Sequence, residues 1–434
     1  MVGLSKYRRM TSVISSPTTS APPGPWRRMR LWATAHAVDD FYQGLVPAAV
    51  PFFVLERHYS YLGASGLALA ATLGSALPQV LIGVIADRRR VAWMSPVGIA
   101  LAGIGAGLAG VVASYTAVFA LLVLSGIGVA MFHPPAGRDA RRAAGDSAGA
   151  MSYFAVGGNV GFFLAPALAT PALHAWGVGA TAIFIGPAVL MAIVLGRHQF
   201  RSHAGAAARA PHHAAGPDRW GMFGLLTAIE VSRSTVSFGI NTFIALYWIR
   251  HLGATSTVGG WALTLELLGG ALGTLAGGRI ADRIGLVRTV RIGNVLLPFA
   301  IVAMLVCHDP YGALPLSLLV GVVTGLPFSV LVKLGQDYLP GRPGTAAGVT
   351  LGLAVSAGGI FMPLLGWVAS HHGTQGVFVV LAIIPIAGTG LTMLLREPVA
   401  ATDAAGGGGG ASGPADGTAN LARPAPLSAP ATAS

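Results

Sequence analysis

Charge is what this chain has least of. Only 10% of its 434 residues are Asp, Glu, Lys or Arg, while 53% are hydrophobic; a soluble domain carries about 25% charged residues. So few charged groups cannot cover a soluble surface. Lysine is nearly missing, with Lys6 and Lys333 the only two, so arginine supplies almost all of the 27 basic residues behind the formal net charge of +12. A basic nucleic-acid binder clusters its charge on a polar surface, and this apolar composition excludes one. Cys307 is the single cysteine, which excludes an internal disulfide framework and a cysteine-based zinc site. No nucleophile–base arrangement, Walker-type phosphate loop or metal-ligand spacing stands in the chain. The expectation is therefore no enzymatic activity, no cofactor, no bound metal and no ATP-driven pump.

What is present is a series of apolar runs. A helix needs about 20 mainly apolar residues to cross the hydrocarbon core. Twelve such runs lie near 31–55, 63–86, 93–113, 116–134, 147–171, 177–196, 221–249, 257–281, 289–307, 311–334, 344–370 and 375–395. Barrel strands would alternate over ~10 residues. Continuous runs such as Ala117–Met131 do not, so the expected fold is an all-α polytopic membrane protein. Nothing before residue 31 resembles a signal-peptide core. The expected organisation is a tail at 1–30, six spans over 31–196, a linker at 197–219, six spans over 220–397, and a disordered tail at 398–434. The linker holds His198, His203, His212 and His213 but no regular ligand spacing, and reads as a solvated connection. The tail, rich in Gly, Ala, Pro and Ser, cannot bury a core.

Basic residues orient membrane spans. With the N-terminus inside, 24 of the 27 fall in inner segments, Arg57 and Arg250 fall in outer loops, and Arg233 lies within span 7. Both termini are expected to be cytoplasmic, and most of the +12 is an insertion signal.

The two sets of six spans repeat at an offset of about 195 residues. Span 2 ends Gly83-Val-Ile-Ala-Asp87-Arg88, and span 8 ends Gly278-Arg-Ile-Ala-Asp282-Arg283. In each, the glycine permits close helix approach and the aspartate can cap a helix or pair with an arginine. Six plus six spans related by an internal repeat is a plan of secondary transporters. The chain resembles the major facilitator superfamily, whose loop signature is Gly-x-x-x-Asp-Arg-x-Gly. The second copy keeps Gly285, whereas Arg90 stands at the corresponding place in the first. Within that superfamily it resembles the fosmidomycin-resistance branch over roughly residues 31–396. The matching residues are His36-Ala-Val-Asp39-Asp40, Phe132-His133-Pro134, Val156-Gly157-Gly158-Asn159-Val160-Gly161 and Gln336-Asp337-Tyr338-Leu339-Pro340-Gly341-Arg342. The stretch Gly161-Phe-Phe-Leu-Ala165-Pro166 is similar to the Gly-x-x-x-Gly-Pro signature that the superfamily links with antiport.

Ionisable groups within spans are costly and usually face a cavity or a partner. In span 1, His36, Asp39, Asp40 and Gln43 share one helical face. Adjacent acids at low dielectric favour holding a proton between them. The expectation is a proton-coupling site at Asp40, which matches the branch's aspartate, and Asp39; a structural carboxylate tied to His36 is the alternative. In span 7, Thr227, Glu230, Arg233, Ser234, Ser237 and Asn241 form a second polar stripe. Glu230 and Arg233 can pair at i,i+3, or Arg233 can reach the span 1 carboxylates or an anionic substrate. Glu266 in span 8 is a further candidate for proton coupling. His36, Gln43, Arg233, Ser237 and Asn241 are expected to line the substrate cavity.

His133 is expected at the cytoplasmic end of span 4, in a gate role, because Pro134-Pro135 cannot continue regular hydrogen bonding. Arg138, Arg141 and Arg142, with Lys333, Asp337 and Arg342, are candidates for latch pairs with Asp87 and Asp282. Gly157, Gly158, Asn159, Gly161 and Pro166 are expected in helix packing. Trp26, Trp32, Tyr59 and Tyr61 read as interface anchors. The function expected is a proton-coupled antiporter exporting a small organic compound or drug from a bacterial-type inner membrane, acting as a monomer. Its partners would be lipid, protons and substrate, with no nucleic acid. A proton-coupled importer of a metabolite is the alternative. A non-transporting sensor is a third reading, for which neither tail offers a folded domain.

Overall fold

The computed structural model describes residues 24–59, 61–89, 91–206 and 216–398. Most of the expected N-terminal tail, linker positions 207–215 and nearly all of the C-terminal tail lie outside the described residues. Every regular element among the described residues is helical. The series begins α1 (Pro25–Arg57), α2 (Tyr61–Arg88), α3 (Met94–Ala109), α4 (Tyr115–Ala144), α5 (Ala148–Trp176) and α6 (Ile185–Ala206), the last entered through a 3-10 stretch at Val178–Phe184. It continues with α7 (Trp220–Arg250), α8 (Ser256–Ile284), α9 (Leu286–Val306), α10 (Leu314–Gly325) and α11 (Phe328–Tyr338). The final set is α12 (Pro343–Ala347), a π segment at Gly348–Leu353, α13 (Ala354–Ile360) and α14 (Met362–Met393).

Helix covers each of the twelve expected spans. Among the described residues, eight helical runs are long and apolar enough, by length and composition, to cross a membrane. One of these, Pro343–Met393, holds the last two expected spans; they part at Gly373, whose φ of 68° and ψ of 179° only glycine adopts without strain. The apolar α3 is shorter, at 16 residues. Helices α1 and α7 are 33 and 31 residues long but carry the charged stripes. Two boundaries differ from expectation. Helix α4 does not stop at Pro134 but runs on to Ala144, with Pro134 and Pro135 inside it and buried. Prolines remove two backbone donors there, but packing on both sides holds the helix together. Helix α6 likewise continues to Ala206, into the expected linker.

Lipid and packing faces separate cleanly. Leu73, Leu77 and Leu81, spaced i, i+4, i+8 along α2, are exposed, as are Phe162, Phe163 and Leu168 of α5. Exposed apolar stripes of this kind suit a lipid surround. Trp26 is exposed, but Trp32 is buried rather than anchored at an interface.

Helix contacts depend on missing side chains. A Cβ on Gly157 or Gly161 of α5 would strike the carbonyls of Ala33 or Ala37 of α1. On α8, Gly269, Gly273 and Gly277 meet Leu318, Val322 and Leu326 in the same way, and Gly321 and Gly325 of α10 answer from the other side. This is small-residue packing of membrane helices. Gly161→Val should therefore cost about 2–3 kcal/mol of overpacking and lower the apparent Tm by roughly 5–10 °C. Gly186→Val, where nothing lies near the added Cβ, should leave Tm unchanged in a thermal-shift assay.

Candidate functional site

The α1–α5 glycine contact brings the α1 polar face into a buried cluster. His36 and Asp40 lie one turn apart, with Nε2 of His36 3.3 Å from Oδ2 of Asp40. The chain then adds a residue from α4. His133 Nε2 lies 3.2 Å from Oδ1 of Asp40 and 3.2 Å from Nε2 of His36. Gln43 Nε2 donates to Oδ1 of Asp40 at 2.7 Å. Asp39 is fully buried; its Oδ2 is 3.4 Å from Nδ1 of His133, beyond good hydrogen-bond geometry, and neither carboxylate oxygen has a hydrogen-bond partner. The far nitrogens are tied to backbone: Nδ1 of His36 to the Phe154 carbonyl at 2.8 Å and Nδ1 of His133 to the Val129 carbonyl at 3.0 Å. The His36 ring stacks on Phe154, with centroids 4.3 Å apart. Gly158 borders the group, since a Cβ there would fall against the Asp40 carboxylate and the His36 ring. Asp40 alone of these ionisable side chains keeps appreciable exposure, 16% against 3% or less.

His133 was expected at a helix end. Because α4 continues through the proline pair, it sits mid-helix instead, inside the α1 cluster.

On α7, Glu230 and Arg233 form the local pair: Arg233 donates to the two Glu230 oxygens at 2.6 and 3.0 Å. Both are buried, and the guanidinium lies 4.8 Å from the centroid of Phe328. The expected reach of Arg233 to Asp39 or Asp40 is not made in this conformation, in which its Nε and Nη2 donate to Glu230 instead. Ser237 and Asn241 are half-buried, and Oδ1 of Asn241 lacks a hydrogen-bond partner. Glu266 on α8 is buried with Oε2 unpartnered.

The repeated aspartates do something other than pair with arginine. Asp87 at the end of α2 accepts from the backbone N–H of Gly344 and Thr345 at 2.7 Å each, and from the Thr345 hydroxyl at 2.6 Å. Asp282 at the end of α8 accepts from Ala148 and Gly149 N–H at 2.6 and 2.9 Å, and from the Ser147 hydroxyl at 2.9 Å. Each aspartate therefore caps a helix start belonging to the other set of spans, α12 for Asp87 and α5 for Asp282, and the capped starts keep the repeat offset to within one residue. Gly83 and Gly278 face the same two starts, where a Cβ would meet the backbone of Gly344 and Ala148. The latch pairs expected at Asp87 and Asp282 are corrected accordingly: helix N-termini present several free N–H groups and a positive dipole end, which outcompete a single side chain. The basic residues pair elsewhere. Arg141 contacts Asp337 at 2.7 Å, Lys333 contacts Asp337 at 2.5 Å, Arg342 contacts Asp218 at 3.2 Å and Arg142 contacts Asp139 at 3.4 Å. Arg138 donates to the Ala86 carbonyl, and Gln336 donates to that of Gly137 at 3.1 Å. Arg88 and Arg283 are exposed. The described hydrogen bonds that join α1–α6 to α7–α14 gather at this one end of the helices. Among the packing candidates, Asn159 is half-buried and Pro166 exposed.

Sequence spacing did not reveal His133 as a partner of His36, because 97 positions separate them. The Asp282 partner had a local sign, since Ser147 is also the N-cap of α5, accepting from Ala150 N–H.

Helices that cross in glycine-lined pairs, an internal repeat and buried ionisable groups at mid-span define a secondary transporter. Residues 32–228 and 222–429 each match the Major Facilitator Superfamily model, and the chain belongs to that superfamily. It is 28% identical to the fosmidomycin resistance protein of Escherichia coli (strain K12), over 84% of this chain and 91% of that protein. It is 27% identical to the uncharacterised MFS-type transporter YfnC of Bacillus subtilis (strain 168), over 81% and 89% respectively. The fold is similar to that of the E. coli fucose:proton symporter FucP, with a TM-score of 0.69, 11% identity and coverage of 86% of this chain and 100% of that one. It is also similar to the human organic anion transporter MFSD10, with a TM-score of 0.65, 16% identity and the same coverages.

Proposed function

We propose that the chain is a proton-coupled antiporter that exports a small organic compound across a bacterial-type inner membrane, as a monomer with both termini cytoplasmic. One observation carries the reading: two adjacent carboxylates, Asp39 and Asp40, stand mid-span with histidines as their charge partners and one of them reaching an accessible surface. Export rather than import is supported by the relative named for fosmidomycin resistance and by the antiport-like run ending at Pro166.

In this reading the halves at 31–196 and 220–397 rock about a midplane site. Proton binding at Asp40 loosens its hold on His36, His133 and Gln43, and proton release restores that hold. Glu230 and Glu266 are secondary proton-coupling candidates. Arg233 exchanges Glu230 for an anionic group of the substrate; His36, Gln43, Ser237 and Asn241 contribute polar contacts along the cavity. The gate comprises Gly83, Asp87, Arg88, Gly278, Asp282, Arg283, Arg138 and Arg342 at the cytoplasmic end, and on this geometry His133 belongs with Asp40 instead.

A resistance panel that includes fosmidomycin, run on expressing and deletion cells with and without an uncoupler, tests the reading. Expressing cells should tolerate more of at least one compound, and the uncoupler should erase the difference. Resistance that survives the uncoupler would sink proton coupling. Substrate and protons moving in the same direction in vesicles would favour the symport alternative.

A further inference from the structure

The hydrogen bonds around the α1–α4 cluster fix which ring nitrogens carry hydrogen. A backbone carbonyl only accepts, so Nδ1 of His36 must donate to Phe154 and Nδ1 of His133 must donate to Val129. In the neutral rings both Nε2 atoms are then bare electron pairs. Those two pairs face each other at 3.2 Å, and each also faces its own oxygen of the Asp40 carboxylate, at 3.3 and 3.2 Å. Convergent electron pairs repel unless something positive lies among them. Among the described residues neither Asp39 nor Asp40 pairs with an arginine or lysine, so no side-chain cation of that kind lies among these electron pairs.

We infer that His36 Nε2, His133 Nε2 and the Asp40 carboxylate form a binding site for a divalent transition-metal cation of the zinc class. The donor set fits: two imidazoles and one carboxylate suit Zn2+, Co2+ or Ni2+ and not Mg2+ or Ca2+. The spacing fits as well. Ligand atoms of a tetrahedral site with bonds of about 2.0 Å stand about 3.3 Å apart; the two nitrogens stand 3.2 Å apart, and each lies 3.2–3.3 Å from its own oxygen of Asp40. The surrounding partners complete the pattern, because metal-bound histidines donate their other N–H to a carbonyl or carboxylate. His36 does so to Phe154, and His133 to Val129 with the Asp39 carboxylate 3.4 Å behind it. Asp39 is thus a positioning residue for the His133 ring. Gly158 packs closely beside Asp40 and His36, where a Cβ would press on both, and the partly exposed edge of Asp40 is where a fourth ligand from solvent or cargo would enter. The inference goes beyond proton coupling and shares a residue with it: a bound metal occupies the same electron pairs and so blocks proton exchange.

The test is Co2+ binding to the purified, untagged full chain, read by the visible d–d absorption of low-coordinate Co2+, with Zn2+ as competitor. Wild type should bind one equivalent, displaced by Zn2+. His36→Gln and His133→Gln should each weaken binding by more than about 100-fold, beyond the loss typical of an outer partner, and Asp39→Asn by about 10-fold with the spectrum retained. The linker variant H203A/H212A/H213A should bind as wild type. Size-exclusion profiles establish that each variant is folded, and the His36 and His133 variants serve as independent checks. No low-coordinate Co2+ in wild type, or equal affinity in the H36Q/H133Q double variant, overturns the site. If wild type binds no metal while Asp40→Asn still uncouples transport, this inference fails and the proton-coupling reading stands. Metal binding with coupling intact in Asp40→Asn gives the reverse outcome.

Discussion

Asp40→Asn should abolish uphill transport while leaving a folded, inserted protein. One charge moved through 100 mV is worth about 2.3 kcal/mol, which sustains an about 50-fold substrate gradient for each proton exchanged. Without a group at position 40 that can gain and lose a proton, that gradient should collapse to unity in inverted vesicles energised by a proton gradient. The fold should survive, because asparagine keeps the aspartate's size and its amide can donate to one of the two imidazole nitrogens now 3.2–3.3 Å away. Only one neighbour is left imperfectly satisfied, at a cost of about 1–3 kcal/mol. Substrate counterflow without a proton gradient should persist, because it needs the cavity but not the proton. Full gradient-driven efflux by the variant would remove Asp40 from the coupling site.

The second large effect is expected at the paired caps. Asp87 and Asp282 each hold three short hydrogen bonds to a helix start of the opposite set, at the end proposed as the cytoplasmic gate. Charge-assisted bonds of this kind, helped by the helix dipole, should be worth about 2 kcal/mol per aspartate to the closed gate. Removing one should raise the open population roughly 30-fold, and removing both roughly 1,000-fold, since the two sites share no partner. Ser152→Cys in a Cys307→Ser background supplies the reporter: residue 152 is buried and lies under Gly278. An impermeant maleimide applied from the cytoplasmic side should label it about 30-fold faster in Asp282→Ala and faster still in the double variant. An unchanged labelling rate in the double variant would show that the caps do not hold the gate.

Features carried by one helix were legible beforehand. The Glu230–Arg233 pair is an i,i+3 contact, and the His36–Asp40 contact an i,i+4 one, so helical spacing alone places them. The Gly-x-x-x-Asp repeat was visible as a pattern, but its partners were not. Asp87 and Asp282 bind backbone N–H groups, which every residue has and no residue type marks. The end of α4 was misplaced because a proline pair reads as a stop, although buried neighbours can carry a helix through it. That one boundary had put His133 in the gate.

Composition and periodicity determined by themselves that the chain is a helical membrane protein built as a repeat, because lipid demands long apolar helices and leaves few charges to interpret. Tertiary structure alone decided where charges on different helices meet. Asp40 gains His133 from 93 positions away, and Asp87 and Asp282 reach across to helices of the opposite set. Helix spacing propagates for a few turns only. Contacts between helices depend on how glycine faces let backbones approach, and that is settled in three dimensions.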